Sequence, residues 1–203
     1  MKIICIGRTY IEHAKELKNP VPKKPVFFLK PDTSLLIRNR PFYYPDFSND
    51  IHYELELVLK ISKNGKNIST EFAPDYYHEI GLGIDFTARD LQQECKEKGL
   101  PWEVAKAFDY SAAISQCVPL DSLPDQNKIS FRLDLNDKTV QKGLSTDMIF
   151  NFNTLIAYVS KFITLRAGDL LFTGTPEGVG PVKVGDKLKS YLEDKLLLEC
   201  EIK

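Results

Sequence analysis

Residues Glu54–Ile61 read ELELVLKI. Leu55, Leu57, Leu59 and Ile61 fall on every second position, the period of a strand, and give it one apolar face for a core. The opposite face carries Glu54, Glu56, Val58 and Lys60. Carboxylates at i and i+2 of a strand project from the same side, about 7 Å apart at their Cα atoms, and repel each other. One hard divalent cation resolves that conflict, because such ions take carboxylate oxygens. A strand face that is simply acidic and solvated accounts for the pattern equally well.

Outward from this strand the signals stay short. Val26–Leu29 and Ser34–Ile37 are brief apolar runs, and Phe131–Leu135 with the run after Asn136-Asp137-Lys138 reads as a hairpin. Asp169–Thr173 and Tyr191–Ile202 supply late strands. Helical spacing is rarer. Thr9–Leu17 is a short candidate. Thr87–Lys98 has an Ala88, Leu91, Cys95 stripe, with Thr87 as N-cap and Gly99 with Pro101 as stop. Asn153–Phe162 places Leu155, Ile156, Val159 and Phe162 on one side. The Pro-rich stretches Asn19–Pro25 and Arg38–Pro45 read as surface connections. Many short strands with few helices predict an α+β domain rather than regular βαβ winding.

The chain has 203 residues, enough for one domain to bury roughly 70% of its unfolded surface without a disulfide or structural metal. Its 27 Lys+Arg against 28 Asp+Glu lack the basic excess of a sequence-independent nucleic-acid binder. No apolar run reaches the roughly 18 residues of a spanning helix. The opening MKIICIGRTYIEHAKEL holds a short apolar patch with no small-residue cleavage site, so the expected location is the cytoplasm. Cys5, Cys95, Cys117 and Cys200 are scattered, with no CxxC pair, and read as small hydrophobes kept reduced.

A third acid sharpens the Glu54/Glu56 anomaly. Ile80–Asp85 (IGLGID) is an apolar stretch whose glycines let other groups come close, and it ends in Asp85. Asp85 reads either as a third metal ligand or as an acid favoured at a helix start. Gly174–Gly180 (GTPEGVG) lacks the Lys-Ser/Thr of a phosphate loop, and Phe86 stands where a dinucleotide fingerprint after Gly81 and Gly83 needs glycine. GTPEGVG instead predicts a tight loop whose open N–H groups can hold a carboxylate. His13 and Glu16, three apart, share a helical face, as a general base and its orienting acid do; a solvated surface pair has the same spacing. His52 and His78 show no partner pattern.

GRTYIEHAKEL, FFLKP, HYELELVL, GLGIDFTARDLQ, KGLPWEVAKAFD and ITLRAGDLLFTGTPEGVGPVKVGD, in this order, resemble the fumarylacetoacetate hydrolase family. The nearest likeness is to its short, single-domain acylpyruvase-like members. The resemblance covers the chain from Gly7 to about Asp186. It implies a mixed β-sandwich roll over residues 1–203, with a lid near residues 9–25, a homodimer, and Mg²⁺ or Mn²⁺ in the site. It further implies that Glu54, Glu56 and Asp85 hold the metal and that His13 and Glu16 activate water. By the same matching Lys106 acts catalytically, and Arg89, Gln92 and Thr175 contact substrate. The activity implied is cleavage of 2,4-dioxo acids (acylpyruvates) to pyruvate and a carboxylic acid, with oxaloacetate decarboxylation as a related outcome. Isomerisation or decarboxylation of oxo-diacids, and metal-dependent 2-oxo acid binding without catalysis, are the rival expectations. Neither nucleic acid nor membrane is expected as a partner.

Overall fold

The computed structural model describes residues 1–16 and 20–203. The first half contains β1 (Ile3–Gly7), α1 (Ile11–Glu16), β2 (Val26–Lys30), β3 (Leu35–Leu36), β4 (Ile51–Tyr53), β5 (Leu55–Ile61), β6 (Tyr77–Asp85), β7 (Thr87–Ala88), α2 (Arg89–Lys98) and α3 (Glu103–Lys106). The second contains β8 (Ala112–Ile114), β9 (Val118–Pro119), β10 (Ser130–Leu135), β11 (Lys138–Leu144), α4 (Phe152–Ser160), β12 (Leu170–Phe172), β13 (Gly180–Pro181), β14 (Lys187–Leu192) and β15 (Lys195–Glu201). The main sheet runs β2-β1-β12-β5-β6-β8-β3, with β9 also on β6. It is mixed: β1 with β12 and β3 with β8 are parallel, and the other pairs are antiparallel. A four-stranded sheet β11-β10-β14-β15 and a small sheet β13-β4-β7 complete the expected α+β architecture. Among the described residues no helix is long and apolar enough to cross a membrane.

β5 lies between two cores, and its alternation decides which side chains enter each. Leu55, Leu57, Leu59 and Ile61 join the large core, with Phe131, Leu133 and Leu188 from the four-stranded sheet and Leu155, Ile156 and Val159 from α4. Val58 points the other way, into a smaller cluster with Ile3, Cys5, Ala112 and Phe172. Glu56 shares that second face. The strand thus carries its acids on the face turned away from the large core.

Several boundaries differ from the sequence-based expectation, each for a local reason. Thr87 is a strand residue paired with His52 and not an N-cap; α2 starts at Arg89 behind Ala88, without a side-chain cap. Its stop is as expected, with Gly99 left-handed at φ 65°. α4 starts at Phe152 and ends at Ser160, because Asn151 caps it by accepting from the Thr154 N–H. Leu17, Lys18 and Asn19, which close the Thr9–Leu17 candidate and open the Pro-rich connection, lie outside the described residues. Only Leu35–Leu36 of Ser34–Ile37 is strand. The Tyr191–Ile202 strand is really the end of β14, a turn at Glu193-Asp194, and β15.

Arg38–Pro45 is pinned rather than loose. Phe42 is buried and stacks on Phe86 at 4.0 Å between centroids, and the N–H groups of Phe42 and Tyr44 donate to the carbonyls of Glu201 and Lys203. The β10–β11 hairpin is as expected, but its turn is shorter: Lys138 already pairs with Leu135, and Asn136 and Asp137 both take positive φ as a type I′ turn requires. All four cysteines are free, and Cys5, Cys95 and Cys200 are buried.

Candidate active site

Strand register assembles the acids. β5 pairs with β6 so that Glu56 faces Gly83 and Leu55 faces Ile84; one step further brings Asp85 beside Glu54, and the Asp85 N–H donates to the Glu54 carbonyl at 2.9 Å. Gly83 is needed opposite Glu56, since a Cβ there would lie 2.3 Å from the Phe172 ring. Glu54, Glu56 and Asp85 are 6%, 1% and 1% exposed, and one oxygen from each lies within 4.8 Å of the others. Like charges so placed are costly unless neutralised.

Three cations answer them. Lys106 Nζ donates to Glu54 Oε2 (2.8 Å), Asp85 Oδ2 (2.9 Å) and Thr87 Oγ1 (2.5 Å), which engages every donor of its ammonium. Arg89 Nη2 donates to Glu54 Oε1 and Nη1 to Gln92 Oε1, each at 2.6 Å, while its buried Nε has no partner. Lys30 Nζ reaches Asp85 Oδ1 at 2.8 Å and donates to Ser111 Oγ (2.9 Å), Ser111 O (3.0 Å) and the Lys106 carbonyl.

The balance among the acids is uneven. Burial opposes the charge on Glu54, yet Lys106 and Arg89 outweigh it and hold the carboxyl well below its usual range. Burial, and then the charges of Asp85 and Glu54, push Glu56 well above that range. Its one hydrogen bond among the described residues comes from the Gly174 N–H at 2.6 Å. Burial also works against Lys106, but Asp85 and Glu54 raise it regardless.

These residues fit a divalent cation. The donor set is three hard carboxylates; among the described residues Glu56 has no cationic partner, and Asp85 Oδ1 meets only the Lys30 ammonium, without a hydrogen bond.

α1 brings the other half of the site. His13 is buried, and its Nδ1 lies 3.2 Å from Glu16 Oε2. Glu16 Oε1 accepts from the Gly178 N–H at 3.1 Å. The GTPEGVG loop therefore holds carboxylates through backbone N–H groups, as its glycines predict, and the carboxylates are the protein's own Glu56 and Glu16. Gly174 has no substitute, since at φ 97° a Cβ would sit 1.7 Å from Thr9 Oγ1. Thr175 Oγ1 accepts from Gln141 Nε2 at 2.9 Å, leaving its own proton to donate elsewhere.

His13, Glu54, Glu56, Asp85, Arg89, Gln92, Lys106 and Thr175 all line one cleft, with Glu16 immediately behind His13. Sequence reasoning missed Lys30, Arg8, Lys96, Phe28 and Trp102, which line or underpin the same cleft. For Lys96 a signal existed. Arg89, Gln92 and Lys96 stand at i, i+3 and i+7 of α2 and share a stripe. Lys30, closing the apolar run FFLK, gives no sign of being buried.

Fold and cleft together define a class, the small-molecule enzymes built around a buried cluster of acids. Comparison narrows it. The family model described as Fumarylacetoacetate (FAA) hydrolase C-terminal matches residues 2–203. The mitochondrial oxaloacetate tautomerase FAHD1 of Mus musculus is 40% identical over 201 residues, covering 99% of this chain and 91% of that protein. The mitochondrial oxaloacetate decarboxylase of Dictyostelium discoideum is 44% identical over 189 residues, 93% of this chain and 87% of its own length. The crystal structure of fumarylpyruvate hydrolase from Pseudomonas aeruginosa in complex with Mn²⁺ and pyruvate matches at TM-score 0.94 and 34% identity, covering 100% of this chain and 89% of that one. The chain belongs to the fumarylacetoacetate hydrolase family.

Proposed function

We propose that this enzyme cleaves the C3–C4 bond of 2,4-dioxo acids (acylpyruvates) to pyruvate and a carboxylic acid, and also decarboxylates oxaloacetate. The observation that carries this reading is a His–Glu pair and a three-carboxylate cluster opening on one cleft. Glu54, Glu56 and Asp85 would hold Mg²⁺ or Mn²⁺. That ion supplies Lewis-acid stabilisation of negative charge on substrate oxygens. The relatives named for action on oxaloacetate and fumarylpyruvate support a small 2-oxo acid as substrate.

Glu16, anchored by Gly178, holds His13 with Nδ1–H toward it, so Nε2 carries the free lone pair. His13 Nε2 takes the proton of a water attacking C4, the C3–C4 bond breaks with its electron pair left on the pyruvyl fragment, and His13 returns the proton to C3, which gives pyruvate and the carboxylic acid. Arg89, through its unpartnered Nε, Gln92 and the Thr175 hydroxyl orient the acid. Lys106 keeps Glu54 and Asp85 in place. Where an ion replaces its ammonium at either carboxylate, Lys106 gains a free donor for the attacked oxygen. α1, which carries His13, would serve as part of a lid; residues 17–19 of the expected 9–25 lid lie outside the described residues. The similarity to the oxaloacetate tautomerase FAHD1 favours a second reading, tautomerisation of oxaloacetate, in which His13 moves a proton at C3 instead of activating water.

Pyruvate release from acetylpyruvate and loss of oxaloacetate, each measured with Mg²⁺ and with excess chelator, test the proposal. Both are expected only with the metal; turnover of neither substrate refutes it. We further propose a homodimer. Light scattering at micromolar concentration should give twice the 23.1-kDa chain mass, and a monomer mass would refute the assembly.

A further inference from the structure

The cleft holds more positive charge than its acids use. Lys30, Lys106 and Arg89 each pair with Glu54 or Asp85. Arg8 and Lys96 line the same cleft, are half-buried, and have no acidic partner among the described residues. Two uncompensated cations brought together repel, and a protein keeps such an arrangement where an anion relieves it.

Both side chains are placed rather than free. Arg8 follows β1 directly and stands in the left-handed region at φ 60°, a conformation unfavourable for any residue with a side chain. Its neighbour Thr9 is fully buried and locks that turn: Thr9 Oγ1 donates to the Thr173 carbonyl at 2.7 Å, and the Thr9 carbonyl accepts from the Ile149 N–H at 2.7 Å. Lys96 lies one helical stripe along from Arg89 and Gln92 and so projects into the same cleft. Burial, and then the charges of Arg89 and Arg8, push its ammonium below the usual lysine range. The Glu54 charge offsets this only in part.

We propose that Arg8 and Lys96 form a second anion subsite of this cleft, which takes the distal carboxylate of a four-carbon 2-oxo dicarboxylate. The inference rests on the proposed function and deepens it. The 2-oxo acid end, common to all candidate substrates, would lie at the cation held by the acid cluster, and Arg8 with Lys96 reads the far end. There a carboxylate distinguishes an oxo-diacid from an acylpyruvate with an uncharged tail. Charge-assisted contacts of this kind are the strong ones, and two together outweigh the cost of holding the cations side by side.

The test uses L-malate and L-lactate, stable 2-hydroxy acids that differ by the distal carboxylate. Trp102, the one tryptophan of the chain, lines the cleft and reports binding by its fluorescence. With Mg²⁺ present, wild type should bind malate at least about 10-fold tighter than lactate, the effect of one charged hydrogen bond. R8M and K96M should each lose part of that preference and the double variant nearly all of it, with lactate affinity unchanged within about 2-fold. In turnover, KM for oxaloacetate should rise in the variants while kcat/KM for acetylpyruvate holds. No malate preference in wild type, a preference that survives in the double variant, or equal weakening of malate and lactate would each overturn the subsite. The two readings fail separately: a protein that turns over neither oxo acid loses the proposed function, whatever its preference between the two hydroxy acids.

Discussion

Replacing His13 with alanine should lower acylpyruvate cleavage by about 10²–10⁴-fold, the usual contribution of a general base. Oxaloacetate decarboxylation should keep a larger share of its wild-type rate. The asymmetry follows from what each reaction asks of the chain. Cleavage needs a water deprotonated at C4, and His13, held by Glu16, is the buried base on the cleft. Loss of CO₂ needs stabilised negative charge on the substrate but no nucleophile. Steady-state rates for both substrates, compared as ratios to wild type, make the measurement. Equal loss of both activities would show that the His–Glu pair serves binding or closure, and undiminished cleavage would remove His13 from the mechanism. If tautomerisation at C3 is the main activity, the enol–keto exchange rate of oxaloacetate should fall with cleavage.

Glu56→Gln should abolish metal-dependent turnover, by about 10³-fold or more given the several kcal/mol a Lewis acid contributes. The same change should make the metal-free protein more stable. Glu56 is a buried carboxylate repelled by Glu54 and Asp85, without a cation of its own and held by one N–H. Glutamine keeps an oxygen for the Gly174 N–H and removes the charge. Relief of 1–2 kcal/mol corresponds to a rise in Tm of roughly 2–8 °C for a chain of this size. Thermal melts in chelator and in Mg²⁺ check both halves. Wild type should gain stability from the ion and the variant should not. A variant that melts lower in chelator, or that remains active, would sink the assignment of Glu56.

Where burial was one-sided, or where a charge stood in the wrong place, the sequence was readable. The alternation of Leu55, Leu57, Leu59 and Ile61 marked β5, and acids inside that alternation marked the cleft. β1 was passed over because Ile3, Ile4, Cys5 and Ile6 are all buried, and a strand covered on both faces shows no period. The β14–β15 hairpin hid because its turn, Glu193-Asp194, lacks the usual Gly or Asn. Phe42 was masked by the prolines around it. Among the cleft residues, anomalous carboxylates were visible, whereas Lys30, Arg8 and Lys96 looked like the surface cations that most lysines and arginines are. Pairing across strands decides which cations are buried, and a linear chain does not display its register. The opposition of Asp85 and Glu54 was hidden for the same reason.

The GTPEGVG loop ties Glu56 at Gly174 and Glu16 at Gly178. Because main-chain amides do the tying, the spacing between the two anchors is a matter of residue count. Most side-chain exchanges along the loop leave it unchanged. Inserting or deleting one residue between the anchors moves one against the other by up to about 3.3 Å, more than a hydrogen bond tolerates. The loop thus acts as a ruler, whose length, with the left-handed glycines at its two anchors, sets the distance between the base's partner and the acid cluster.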